Sequence, residues 1–213
     1  MRIDSIAAQP DRAGRHLVKF SDGPAMKLYP QTVEDLGLVP GLELAEEDFE
    51  RLQREAGKMS AKMRAVRIVA ASNVSRRDLQ SRLIRKGEDP RQASEAVQWM
   101  EELNLVDDRR TAQQIVDRCA GKGYGKVRAK QALYEKQIPK EYWEEALENY
   151  PDMTDSIYKF LCSRLRGQWD ERELKRVIDA LLRKGHSYGQ IRTALERLKI
   201  DADDLQEESQ WQI

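Results

Sequence analysis

LIRKG, residues 83–87, returns as LLRKG at residues 181–185, 98 positions further along the chain. A weaker copy, LYEKQ at residues 133–137, stands 50 positions after the first. Self-similarity at a fixed period marks a repeat architecture. The same offsets carry the neighbouring apolar positions without gaps. Ala93, Val97 and Met100 fall on Trp143, Leu147 and Tyr150, and then on Ile191, Leu195 and Leu198. Leu79 and Leu83 fall on Ala129 and Leu133, and then on Val177 and Leu181. Steps of three and four are the inward stripe of an amphipathic helix.

Each unit therefore holds three helices. They are expected at 58–72, 75–86 and 90–104, at 107–120, 125–136 and 140–150, and at 154–166, 170–184 and 187–199. The punctuation agrees with this reading. Gly87 and Gly185 stand where a helix end takes a left-handed residue. Pro90 and Pro139 suit a first helical turn. Asp107, Thr154 and Ser187 are candidate N-caps.

The first 56 residues read differently. IDSIAAQ, RHLVKF and AMKLY are short and β-prone, separated by the turn clusters PDRAG and SDGP. They are expected to form a three-stranded antiparallel sheet. QTVEDLGL reads as a short helix closed by Gly37. PGLELAEEDFERLQREAG reads as a turn and then a helix with Leu44, Phe49 and Leu52 on one side. The expected fold is mainly α. Three tandem three-helix repeats form an elongated curved body, preceded by a small β-sheet segment with short helices. The divisions are 1–56, a β-rich extension; 57–106, 107–151 and 152–200, the three repeats; and 201–213, an acidic tail.

Composition narrows the function. The 213 residues carry 37 Lys and Arg against 37 Asp and Glu, so the net charge is zero. The distribution is uneven: −4 over residues 1–56, +4 over 57–106, +1 over 107–150, +4 over 151–200 and −5 over 201–213. A mildly basic body lies between two acidic ends, which bears on the choice of partner. Cys119 and Cys162 sit in apolar helical patterns and read as small buried residues, which fits a reducing cytoplasm. The N-terminus has no apolar run of signal-peptide length, and no window reaches the ~20 apolar residues of a membrane span. A cytoplasmic protein without a membrane is expected.

AGKGYGKVRAK, residues 120–130, mixes glycines with lysines, which raises the question of a phosphate cradle. A P-loop needs a strand, then GxxxxGK[ST], then a helix. Here Val127 follows Lys126, Ala120 stands where the first glycine belongs, and the preceding TAQQIVDRCA is helical. All three requirements fail. The stretch reads instead as the turn between the first two helices of the middle repeat. Its basic residues Lys122, Lys126, Arg128 and Lys130 beside a helix N-terminus remain candidates for contact with phosphates or an acidic partner.

Catalytic constellations are missing from the sequence. His16 and His186 have no second ligand at helical spacing, and His186, following a C-cap glycine, reads as a solvated turn residue. Two isolated cysteines complete no zinc pattern. Asp107 and Asp108 read as helix-opening acids rather than metal ligands. No metal and no cofactor is expected, and the chain reads as a non-enzyme. Trp99, Tyr134, Trp143 and Tyr150 read as packing residues, whereas Trp169 and Tyr188 read as more exposed contact candidates. Two basic clusters stand out: Arg76, Arg77, Arg82, Arg85 and Lys86 on the second helix of the first repeat, and Arg172, Lys175, Arg176, Arg183 and Lys184 on the matching helix of the third. They read either as solvated faces or as two patches for an acidic partner or a phosphate backbone.

LVDDRRTAQQIVDRCAGKGYGKVRAKQALYEKQIPKEYWEEAL, in the middle repeat, resembles the RecX family of bacterial recombination regulators. The resemblance rests on Asp107-Asp108 opening a helix, the following Ala112, Gly125 before the second helix, Leu133 and the break at Lys136-Gln137. The LIRKG and LLRKG units look like the family's first and third repeats, and the strand-rich start resembles an extension found in some members. Thr111 departs from the family's usual aromatic residue and Gln137 from its usual glycine. The resemblance implies a non-enzymatic modulator, most simply an inhibitor, of the RecA recombinase. Such a protein binds the RecA filament on single-stranded DNA and modulates its ATPase, strand exchange and coprotease activity, in DNA repair, recombination and the SOS response. A monomer with weak direct DNA binding is expected. Two other readings stay open: a stand-alone helix-turn-helix-like DNA-binding module, and a helical protein-interaction scaffold.

Overall fold

The computed structural model describes residues 1–165 and 169–210, with side-chain environments up to Lys199. The chain divides into two compact units, Met1–Asp107 and the remainder from Asp108.

In the first unit, β1 (Ile3–Ile6), β2 (His16–Phe20) and β3 (Met26–Leu28) form an antiparallel sheet in the order β1-β2-β3. Ile3 pairs with Phe20 and Val18 with Met26, with a bulge between Ile3 and Ser5. The alternation in HLVKF is the cause: Val18 and Phe20 face inward and Lys19 faces water. α1 (Pro30–Asp35) follows and ends before Gly37, whose φ of 57° is left-handed. Ile3, Val18, Phe20, Leu28 and Leu38 pack with Leu52 of α2 (Glu46–Ala71), and Phe20 meets Phe49 edge to face at 5.4 Å.

α2 corrects the expected helix at 58–72. It runs unbroken from Glu46 through the 56/57 boundary. Its first half covers the sheet with Leu52, and its second half contributes Ala61 and Ala65 to a separate cluster. One helix therefore serves two cores. Gly57 within it weakens the helix by about 1 kcal/mol relative to alanine. The missing side chain leaves room for Gln92, whose Nε2 would lie 2.3 Å from a Cβ at that position.

The second half of α2 packs with α3 (Arg76–Arg85) and α4 (Pro90–Glu102) around Leu79, Leu83, Ala93, Val97 and Met100. Ser75 Oγ accepts from the Asp78 amide at 3.0 Å, and Asp89 caps α4 by accepting from Arg91 at 2.9 Å. Gly87 closes α3 with φ 90°.

In the second unit, α5 (Asp108–Gly121), α6 (Lys126–Glu135), a 3-10 turn (Lys140–Tyr142) and α7 (Trp143–Glu148) enclose Ala112, Val116, Cys119, Ala129, Leu133 and Leu147. The single helix expected at 140–150 is thus a 3-10 turn and a short α-helix. α8 (Thr154–Arg164), α9 (Glu171–Arg183) and α10 (Tyr188–Gln210) enclose Ile157, Leu161, Leu181, Ile191 and Ala194. Asp170 and Glu173 form a capping box on α9. Ser187 caps α10, accepting from the Gln190 amide at 3.2 Å. Thr154 is not the cap of α8: its own amide and hydroxyl both donate to Asp152, at 3.1 and 2.8 Å. The α10 backbone continues well past 199, to Gln210. The side chains of the acidic stretch at 201–210, and all of residues 211–213, lie outside the described residues.

The glycine-lysine turn finds its explanation in this unit. Gly123 is left-handed at φ 67°, but Gly125 is not; its φ is −81°. Gly125 is needed for close approach. Its amide donates to the Lys184 carbonyl at 2.9 Å, and the Val127 amide donates to the Gly185 carbonyl at 3.3 Å. A Cβ at Gly125 would lie 1.9 Å from the Gly185 oxygen, and one at Gly185 would lie 2.4 Å from the Arg128 nitrogen. Two repeat turns are stitched together backbone to backbone. His186 sits in this seam, buried rather than solvated. Its Nδ1 has no hydrogen-bond partner among the described residues.

Candidate functional site

The two basic helices do not present their charges alike. On α3, Arg76 donates to Glu101 at 2.9 Å. Arg82 forms a two-pronged pair with Asp78, both bonds 2.9 Å, and also reaches Ser72 Oγ at 3.3 Å. Asp78 and Arg82 are one helical turn apart, and both side chains are largely shielded, at 13% and 26% exposure. This pair orients the guanidinium rather than leaving it loose. Arg77, Arg85 and Lys86 are exposed and make no ion pair among the described residues.

On α9, Leu174, Val177, Ile178 and Leu181 take the inward stripe. Arg172, Lys175, Arg176 and Arg183 are left on the outside, exposed and without an ion pair among the described residues. Lys184, at the C-cap, is half-buried with its Nζ 4.5 Å from the Phe160 ring centre. In the glycine-lysine turn, Lys122, Lys126 and Lys130 are exposed, while Arg128 pairs with Glu135 at 3.0 Å. Lys126 and Lys130 border a broad groove whose other wall carries Glu141, Glu144, Glu145 and Glu148. Its sign is mixed, so it is a poor cradle for an anion.

Aromatic placement differs from expectation at two positions. Tyr134 is 72% exposed on α6, not packed. Trp169 packs against the α8–α10 cluster rather than facing water. Trp99, Trp143 and Tyr150 pack as expected, and Tyr188 is exposed. Burial pushes the Tyr150 phenol up to about 12, and its hydroxyl donates to the Tyr124 carbonyl at 2.7 Å. Cys119 is buried and Cys162 half-buried, both as free thiols, and burial raises the Cys119 pKa.

Sequence reading missed three cations that gather beside α3: Arg15, Arg64 and Arg67 line one cavity of about 460 Å³ together with the expected Arg82, Arg85 and Lys86. The three come from the turn before β2 and from α2, neither of which carries a periodic basic signal. Among the described residues, no group of three or more His, Cys, Asp or Glu side chains is arranged to hold a metal ion. No described helix is long and apolar enough to cross a membrane.

Comparison with known proteins adds to this geometry. Residues 107–147 match the family model described as RecX, second three-helix domain. The chain is 30% identical to the regulatory protein RecX of Chlorobaculum tepidum over 145 residues, covering 67% of this chain and 90% of that protein. It is also 30% identical to that of Halorhodospira halophila over 155 residues, covering 70% and 95%. With that of Streptococcus gordonii the match is 23% over 197 residues, 91% of this chain and 76% of that one. A crystal structure of regulatory protein RecX superposes with a TM-score of 0.64 at 19% identity, over 92% of this chain and 98% of that one. A structure of RecX from Lactobacillus salivarius gives 0.58 at 21% identity, over 68% and 97%. At these identities the two structures speak to fold alone.

Proposed function

This chain belongs to the RecX family of regulatory proteins, and on that premise we propose that it is a non-catalytic inhibitor of the RecA recombinase. In this reading it binds the RecA filament on single-stranded DNA and restrains the filament's ATPase, strand exchange and coprotease activity. The observation that carries it is the outer face of α9. Arg172, Lys175, Arg176 and Arg183 stand exposed, with no acid of their own among the described residues. Cations already paired within a fold gain little from a partner, whereas unpaired ones steer and hold an acidic surface. Arg77, Arg85, Lys86, Lys122, Lys126 and Lys130 supply further exposed positive charge.

The test is the single-stranded-DNA-dependent ATPase of a bacterial RecA, titrated with this protein at physiological salt. Inhibition well below one copy per RecA subunit is expected. The triple reversal Arg172→Glu, Lys175→Glu, Arg176→Glu should weaken it by at least about tenfold in a protein that still folds. Unchanged inhibition by that variant would remove α9 from the mechanism. No inhibition by the parent protein, with intact RecA filaments, would remove the reading.

A second reading, direct binding of DNA, is favoured by one feature. α6 is the second helix of a helix-turn-helix pair and turns Lys126, Val127, Lys130 and Tyr134 toward solvent. It predicts binding to bare duplex that falls steeply with salt. Lys126→Ala with Lys130→Ala should then flatten the slope of log affinity against log salt.

A further inference from the structure

The cavity in the first unit is a separate feature from the α9 face and does not depend on the RecA reading. Its wall holds six cations, Arg15, Arg64, Arg67, Arg82, Arg85 and Lys86, and no carboxylate. Its volume, about 460 Å³, lies in the range of small-molecule sites.

Three of the cations are anchored from behind. Asp11 takes Arg15 through Nε and Nη2 at 3.2 and 2.8 Å, Glu88 takes Arg64, and Asp78 takes Arg82. Glu88 is itself buried and also accepts from Ser60 at 3.0 Å. Such carboxylates set the direction of a guanidinium while leaving other N–H groups available. Arg67 is held without an acid, donating to the Tyr29 hydroxyl and to the Met63 carbonyl. Arg85 and Lys86 make no ion pair among the described residues. The wall thus carries three positive charges that no acid offsets, gathered at one concave surface. Like charges so placed repel, and an anion that enters relieves the repulsion.

The remaining lining fixes the ligand's character. Tyr29 offers a hydroxyl, Ser60 and Ser72 already donate theirs to Glu88 and the Ile68 carbonyl, and Ile68 and Ala71 offer an apolar patch. Arginine forks accept the paired oxygens of carboxylate and phosphate alike, and three unoffset charges at one surface favour a multiply charged phosphate over a single carboxylate. The geometry points to a binding site for a small polyphosphate anion, of the size and charge of a nucleoside di- or triphosphate, held between the sheet segment and the first three helices. The phosphates meet Arg67, Arg85 and Lys86, with Arg15, Arg64 and Arg82 as the preset outer ring. The site is built from residues at positions 13 to 86, so a fold that brings the turn before β2 onto α2 and α3 is required to make it.

The test uses the full chain and inorganic tripolyphosphate as probe, by calorimetry and thermal melting at low salt. Saturable binding at one site per chain is expected, with a raised melting midpoint. Arg85→Glu with Lys86→Glu, two exposed positions, should weaken it at least tenfold, while Arg172→Glu with Lys175→Glu should leave it unchanged. A nucleoside triphosphate binding more tightly than tripolyphosphate would place a ring on the Ile68 and Ala71 patch, and equal affinity would assign the site to the phosphates alone. Either supports the site. It is overturned if tripolyphosphate does not bind at millimolar concentration, if both double variants weaken it alike, or if only a short single-stranded oligonucleotide binds.

Discussion

LIRKG and LLRKG end the same kind of helix with nearly the same residues, yet the two copies do different things. In the first, the helix spends much of its charge internally: Arg82 on Asp78 and Arg76 on Glu101. In the third, the position 98 residues after Asp78 is Arg176, and the one after Glu101 is Lys199. The acids have become bases, so α9 faces solvent with charge to offer. The glycines diverge as well. Gly87 has open space around its α-carbon, whereas Gly185 abuts Arg128. A repeat therefore specifies a helix and its stop, while its neighbours determine whether the same residue is a cap, a clasp or a contact.

The glycines give the sharpest way to break this comparison. Gly87→Ala meets only the left-handed backbone and should cost about 1–2 kcal/mol. Gly185→Ala meets that and a backbone nitrogen at 2.4 Å, and should cost about 3 kcal/mol or more. Chemical denaturation of the two variants measures the gap, and equal losses would dissolve the seam between the turns. The acid of the first copy comes next. Asp78→Ala leaves a largely shielded Arg82 without its partner and should cost about 1–2 kcal/mol. Arg176→Ala on the exposed face of α9 should change stability by less than about 0.5 kcal/mol.

A single proton at His186 sharpens the contrast further. Burial lowers its pKa below 6.5, assisted by Lys184 and opposed by a hydrogen bond with the Gly123 backbone. The unfolded chain therefore takes up a proton that the folded seam resists. Stability is full above about pH 6.5 and declines as pH falls through that value toward the lower folded pKa. Protection factors of amides in α9 and α10, taken against the intrinsic exchange rate at each pH, should fall on acidification more than in α3 and α4, which have no such histidine. Replacing His186 with leucine should remove the difference.

A small effect of opposite sign concerns the middle copy. Gln137 occupies the left-handed position that Gly87 and Gly185 fill in the other two, at φ 54°. Gln137→Gly should stabilise the second unit by about 0.5–1 kcal/mol, read as a higher denaturation midpoint. A loss would mean that the interactions Gln137 makes are worth more than the strain.

Much of this could be read from the chain alone, and for local reasons. The three strands came from alternation in HLVKF and its neighbours, and the helices from apolar steps of three and four. Pro90, Ser187, Gly37, Gly87 and Gly185 marked ends through their own side chains or lack of one. Those signals act over a single turn, so no distant residue is needed to interpret them. Helix ends that depend on packing were less legible. α2 continues through Gly57 because Leu52 and Ala61 serve different cores, and Thr154 yields its capping role to Asp152.

The sequence by itself determined the repeat, the small sheet, the placement of the apolar stripes and the presence of two basic helices. Apart from Arg82, whose partner Asp78 lies one turn away on the same helix, tertiary structure decided which cations are paired and which remain available. Arg76 lies 25 residues from Glu101, Arg67 lies 38 from Tyr29, and Ser60 meets Glu88 across 28. It also decided that Gly125 and His186 belong to a seam, that Tyr134 faces water, and that Arg15 joins α2 and α3 around one cavity. The physical reason is range. Side-chain periodicity and backbone conformation are properties of neighbours in sequence, whereas charge pairing, close backbone approach and concavity depend on residues that only the folded chain brings within a few ångströms.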